Sequence, residues 1–147
     1  GLLARAWRRR RLAREAAIDD LLAALWRMQE SGEARVRADA LVSRSVFDRA
    51  LAIRLARQRG LLQQDAAGVL SLTASGDERA TRQVRRHRLW EHYLADEVGV
   101  PVERVHDHAE AFEHFPIEPG GGVAVDPHGR PIPPVPEADE QRPSGDR

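Results

Sequence analysis

Between Leu61 and Thr73 the apolar residues change their period, and that change most constrains the fold. Upstream, Ile18, Leu21, Leu22, Leu25 and Met28 recur at helical spacing, and Gly32 ends the run. Arg37 to Ser43 suggests a short second helix. A third is expected from Arg44 or Ser45 to about Arg59, with Phe47, Ala50, Leu51, Ile53 and Leu55 turned inward and Gly60 as its stop. Then Leu61-Leu62 and Val69 to Thr73 flank the polar, glycine-containing stretch Gln63 to Gly68, which reads as a two-stranded hairpin. Three helices followed by a hairpin is the order of a winged helix-turn-helix, in which the third helix enters the DNA major groove.

A long helix is expected from about Ser75 to Val98, with Thr73 or Ser75 as its cap and Gly99 just past its end. Pro101 suits the first turn of another helix reaching about Phe115. After Pro116 periodicity is lost. Three consecutive glycines from Gly120 and a run of prolines mark a loop and then a disordered tail. The expected division is therefore a basic arm or juxtamembrane linker at 1–14, a winged-helix domain at 15–75, a helical metal-binding and dimerisation domain at 76–134, and a disordered tail at 135–147. The fold class is mainly α with a small β-hairpin.

Composition removes several functions. The 147 residues contain no Cys, which excludes disulfides, thiolate metal sites and thiol catalysis. Formal net charge is zero, so any nucleic-acid contact must come from local patches. No apolar run approaches the ~20 residues of a membrane-spanning helix, and no signal peptide is evident. The expected location is cytoplasmic, or the cytoplasmic face of a membrane protein. All basic residues are Arg, and six of them crowd residues 1–14 without an acid. Such an arm is either simply solvated or contacts DNA phosphates or an anionic membrane surface. The start at Gly1 rather than Met is expected of a piece of a longer protein.

The stretch from His87 to His114 carries the chemistry. His87 and Glu91 are four apart and share a helix face; His106, Glu110, Glu113 and His114 line one stripe of the next helix. Two helices each offering imidazole and carboxylate from one face can surround one or two metal ions. Charged helix faces are usually only solvated, and Glu–His pairs arise by chance. Five or six ligand-type residues on two stripes make that weaker here, whereas His92 and His108 fall off the stripe and read as surface residues. Nitrogen and oxygen donors without sulfur favour Mn²⁺, Fe²⁺ or Zn²⁺. No HExxH pattern, nucleophile elbow or glycine-rich phosphate loop is present, so no enzymatic activity is expected.

Several segments resemble, in order, the diphtheria toxin repressor and manganese transport regulator family. Asp20 to Trp26 resembles the family's first helix. Gly60-Leu61-Leu62 and Leu72 to Gly76 resemble its wing and "LTxxG" entry. Arg86 to Glu91 resembles "KHRLxE", Val105 to His114 resembles "HDEAExxEH", and Asp126 to Pro133 resembles "PHGNPIP". The resemblance covers about residues 16 to 134. It implies that Asp20, Glu110, Glu113 and His114 are regulatory ligands and that His87, Glu91 and His106 form a neighbouring second site. It also implies Mn²⁺ or Fe²⁺ as cofactor (Zn²⁺ as a further candidate), a homodimer, and a double-stranded DNA operator. Metal would couple the two domains and fix the DNA-reading helix.

Three departures stand out. Between His114 and Asp126 there is only a short Pro- and Gly-containing stretch where the family has another helix, which implies a weakened dimer interface. Ala23 stands where manganese-type members have a further carboxylate. The DNA-facing candidates are Arg44, Ser45, Arg49 and Arg54, but Asp48 beside them would meet phosphates badly, and a solvated face is the competing reading. With the arginine run, these departures suit a second reading. The chain is also similar to the cytoplasmic, metal-sensing tail of a manganese/zinc/iron ABC transporter permease, with that permease as fusion or partner.

Overall fold

A computed structural model describes residues 1–41, 46–114, 118–120 and 122–136. The chain divides into two compact units, Gly1–Ala80 and Thr81–Arg147.

The first unit opens on helix α1, Leu2–Glu30. The helix expected from Glu15 begins a full 13 residues earlier. Residues 2–14 are Leu, Ala, Trp and Arg, without Gly, Pro or a β-branched side chain, so nothing stops propagation backward from the buried turns. Ile18, Leu21, Leu22, Ala23 and Leu25 are the residues α1 buries, and the arginine-rich end is exposed.

The short helix expected at residues 37–43 is replaced by strand β1, Val36–Arg37, and a single 3₁₀ turn, Ala38–Ala40. Val36 pairs with Leu70 and is buried, so tertiary pairing overrides local preference there. Helix α2 spans Val46–Gln58. Its start, with Arg44 and Ser45, lies outside the described residues. The buried stripe is Ala52, Ile53 and Ala56, and Ala50, expected inside, is exposed. Gly60 closes α2 at φ +69°, a left-handed position that lets the Leu61 amide reach back to the Ala56 carbonyl at 2.9 Å.

Strands β2, Leu62–Gln64, and β3, Val69–Leu72, form the hairpin, with Leu62 opposite Leu72 and Gln64 opposite Leu70. The sheet order is β1-β3-β2. Asp65 makes the turn by accepting from the Ala67 and Val69 amides, each at 2.9 Å. This is the winged-helix arrangement, with β3 as the central strand.

Helix α3, Ala74–Asp96, starts in the first unit, and most of it belongs to the second. Thr73 caps it: its hydroxyl accepts from the Gly76 amide at 3.1 Å and donates to the Gly60 carbonyl at 2.6 Å. Gly76 sits so close to the Leu61 carbonyl that a β-carbon would lie 1.9 Å from its oxygen. Arg79 then grips α1 through Asp19 at 2.6 Å and Glu15 at 2.9 Å.

In the second unit, α3 is followed by helix α4, Val102–Phe112. Leu94, Val105 and Ala109 form a small apolar core flanked by Trp90, Ala95 and Val100. Trp90 stacks on Phe112 with centroids 4.7 Å apart. The end of the expected helix at Phe115, most of the predicted tail (residues 137–147) and part of the loop before residue 122 lie outside the described residues. Among the described residues, no helix is long and apolar enough to cross a membrane.

Candidate metal centre

Helix α3 places His87 and Glu91 one turn apart, both almost wholly buried. Helix α4 brings His106 against them. His87 Nε2, Glu91 Oε1 and His106 Nδ1 form a triangle with all three sides 3.0 Å. The two rings meet edge to face, with centroids 4.7 Å apart. His106 stands at the rim, its side chain 47% exposed, so the centre opens to solvent on that side.

Each buried group is held from behind. The other ring nitrogen of His87, Nδ1, contacts Glu113 Oε2. Arg130 Nη2 donates to Glu91 Oε2 at 2.6 Å. Arg130 Nε in turn donates to the buried Asp126 at 2.5 Å, while Asp126 Oδ1 accepts from the His128 and Arg130 amides at 2.9 and 2.8 Å. A turn closed by the Asp126 amide on the Arg130 carbonyl thus delivers the guanidinium to Glu91.

Electrostatics follow from these contacts. Burial pushes the Glu91 carboxyl up, but hydrogen bonds from His87 and His106 and the charges of His87 and Arg130 outweigh it and hold Glu91 well below the usual carboxylate range. Burial pushes the His87 imidazolium down, yet Glu113 and Glu91 on either side leave its pKa raised.

The donor set fits a divalent cation. With Nδ1 of His87 donating to the Glu113 carboxylate, an ion that displaced the Nε2 proton would meet that nitrogen's lone pair beside the carboxylate oxygen of Glu91. Acceptors converging at 3.0 Å need a proton or a cation between them. Donor atoms of His87, Glu91 and His106 this close together could share one ion. Glu113 behind His87 is the carboxylate that orients a ligating imidazole.

The remaining candidates fall outside this triangle. Glu110 Oε1 lies 3.5 Å from His106 Nε2 on the exposed side. His114 lies 3.6 Å from Glu113 Oε1 and 3.4 Å from Gln83 Nε2. Asp20 sits on α1 in the first unit and is exposed. His108 is exposed, and His92 is partly exposed and pairs with Asp96 at 3.2 Å. Arg130 and Asp126 were not among the sequence candidates; their only signal was position in the segment that resembles "PHGNPIP".

In the first unit, α2 and β2 border an open cleft of about 1080 Å³ lined by Arg49, Arg54, Arg57, Gln63 and Gln64, among others. Arg49 is partly engaged, donating to the Leu41 carbonyl at 2.9 Å, and Arg57 donates to Gln64 at 3.1 Å. Arg54 is exposed.

Residues 73–116, which hold both helices of the metal centre, match the family described as the iron dependent repressor, metal binding and dimerisation domain. The diphtheria toxin repressor of Corynebacterium jeikeium (strain K411) is 37% identical over 86 residues, which is 53% of this chain and 36% of that protein. A manganese-dependent transcriptional repressor in complex with manganese superposes with a TM-score of 0.71 at 34% identity, covering 87% of this chain and 62% of the other. Over these stretches the chain resembles the iron-dependent repressors. The chain also resembles a probable metal transport system membrane protein of Chlamydia trachomatis, 38% identical over 71 residues, 43% of this chain and 16% of that protein. The chain therefore spans only about a third, or less, of the curated relatives it matches.

Proposed function

We propose that the chain is a divalent-metal-responsive transcriptional regulator in which Mn²⁺ or Fe²⁺ controls DNA binding by the winged helix. The observation that carries this reading is the convergence of His87, Glu91 and His106, inside the segment that matches the metal-binding domain of known repressors. His87, Glu91 and His106 hold one ion, with Glu113 fixing the His87 ring. Glu110, Glu113, His114 and, from the first unit, Asp20 supply the regulatory ligands. An ion that ligates residues of both units favours one arrangement of them by its extra bonds there, which is a population shift. The ion itself supplies charge and fixed coordination geometry.

DNA would be met by α2 and the hairpin, with Arg54, Arg49 and Arg57 placed for phosphates and Gln63 and Gln64 beside them. Tyr93, Val98, Val102 and Phe112 leave apolar surface on the second unit, which supports pairing of two copies.

Titration calorimetry of the metal-stripped chain with Mn²⁺ tests both sets of ligands: binding is expected, and Glu110→Ala and His114→Ala should lose the regulatory ion while the ion at His87, Glu91 and His106 is kept. A metal-dependent duplex complex that weakens steeply with salt is the expected companion result. If all three of Glu110→Ala, Glu113→Ala and His114→Ala leave Mn²⁺ affinity unchanged, the ligand assignment is wrong.

The Chlamydia relative favours a second reading: the same sensor as the tail of a metal transport membrane protein, reporting metal to transport. Metal binding with no salt-dependent duplex complex would support it.

A further inference from the structure

Glu91 has two carboxylate oxygens, and the structure commits them differently. Oε1 faces the two imidazoles, and Oε2 is taken by Arg130 at 2.6 Å. Glu91 is fully buried, so neither oxygen is satisfied by bulk solvent. Arg130 is itself fixed, its Nε on Asp126 at 2.5 Å and its backbone amide on the other oxygen of the same carboxylate. Asp126, fixed by two backbone amides of its own turn, holds the guanidinium beside Oε2.

We propose that Arg130 is a specificity-determining residue of the metal centre, holding Glu91 to a single donor oxygen and so selecting against large, oxygen-seeking cations such as Ca²⁺. The inference rests on the metal-centre reading above. Ca²⁺ takes 6–8 oxygen ligands and is commonly chelated by both oxygens of one carboxylate, whereas smaller transition ions accept one oxygen beside imidazole nitrogens. The two histidines already tilt the centre toward transition metals. Arg130 removes the remaining chelating mode, because a charge-assisted bond to a fixed guanidinium occupies the second oxygen. The paired charges of Arg130 and Asp126 largely cancel, so the effect is on the geometry offered to the ion more than on its overall attraction.

The test is displacement of bound Mn²⁺ by Ca²⁺, followed calorimetrically in a His114→Ala background that leaves His87, Glu91 and His106 intact. Arg130→Ala is expected to narrow the Mn²⁺-over-Ca²⁺ preference at least about tenfold, and Arg130→Lys, which can still hold Oε2, to retain most of it. A purely structural role would weaken both ions in parallel and leave the ratio unmoved; that result overturns the proposal. Should Arg130→Ala lose its cooperative melt, Arg130→Gln gives the same reading, with an unchanged ratio again decisive against it. Absence of Mn²⁺ binding at this centre with Arg130 intact sinks the metal-centre reading itself, and this inference with it. An unchanged ratio with binding retained sinks this inference alone.

Discussion

The two units of the chain are organised on opposite principles. The first is built on aliphatic side chains: Ile18, Leu22 and Leu25 from α1 meet Val36, Ala56, Leu62 and Leu70 in one continuous core. Among the described residues, the second has a smaller apolar cluster, Leu94, Val105 and Ala109, with Val84, Leu89 and Ile132 also buried, and it buries Gln83, His87, Arg88, Glu91, Glu113 and Asp126. Apolar burial is non-directional and largely indifferent to small ions. A buried polar centre is stable only while every charge has its partner. The core of the first unit is thus largely indifferent to an ion, and the second unit is the part whose stability an ion would change most.

The sharpest way to break this contrast is Glu91→Ala. It strips the partner from His87 and Arg130 together, and a loss of about 3–5 kcal/mol in the second unit is expected by chemical denaturation. Leu22→Ala should cost the first unit about 2–5 kcal/mol, and the loss should be the same with and without Mn²⁺. A metal-dependent loss there would break the comparison. Saturating Mn²⁺ at about 100 times Kd should raise the stability of the second unit by about 2.7 kcal/mol, read as an upward shift of its melting transition. Thr73→Ala removes a helix cap and should cost about 1 kcal/mol in either condition.

The smallest effect concerns pH. Burial pushes Glu15 up, but bonds to Arg59 and Arg79 outweigh it and hold its pKa below the ordinary 4.5. A depressed carboxylate stabilises the fold above its unfolded pKa and loses that contribution as pH falls through the folded value. Glu15→Gln should therefore flatten the acid limb of the first unit's stability below about pH 4.5 and change little at neutral pH. The partly exposed ion pairs keep this contribution small.

What the sequence disclosed follows the range of the interactions. The hairpin, the long α3 and the His87–Glu91 pair are local patterns of period two or four and were legible. Strand β1 was not, because two residues carry no period and Val36 finds its place through Leu70, far along the chain. Ala50 was misassigned because α2 is rich in small residues, and Ala50, Ala52 and Ala56 give several nearly equivalent inward faces. The contact of Glu113 with His87 and that of Arg130 with Glu91 join different elements, 26 and 39 residues apart. No spacing rule reaches them. The motif around Arg130 drew notice as a resemblance, while its chemistry required the fold.

The half-exposed His106 has a kinetic consequence. An ion seated against His87 and Glu91 is walled in by protein except where one imidazole stands between it and water. Rotation of that ring would open the way to water, and exposed side chains rotate in picoseconds to nanoseconds. Residence time is then set by the bonds to the ion and not by any opening of the fold. Such a centre equilibrates with the free ion around it and follows its concentration as it rises and falls, where a sealed site would store what it had once captured.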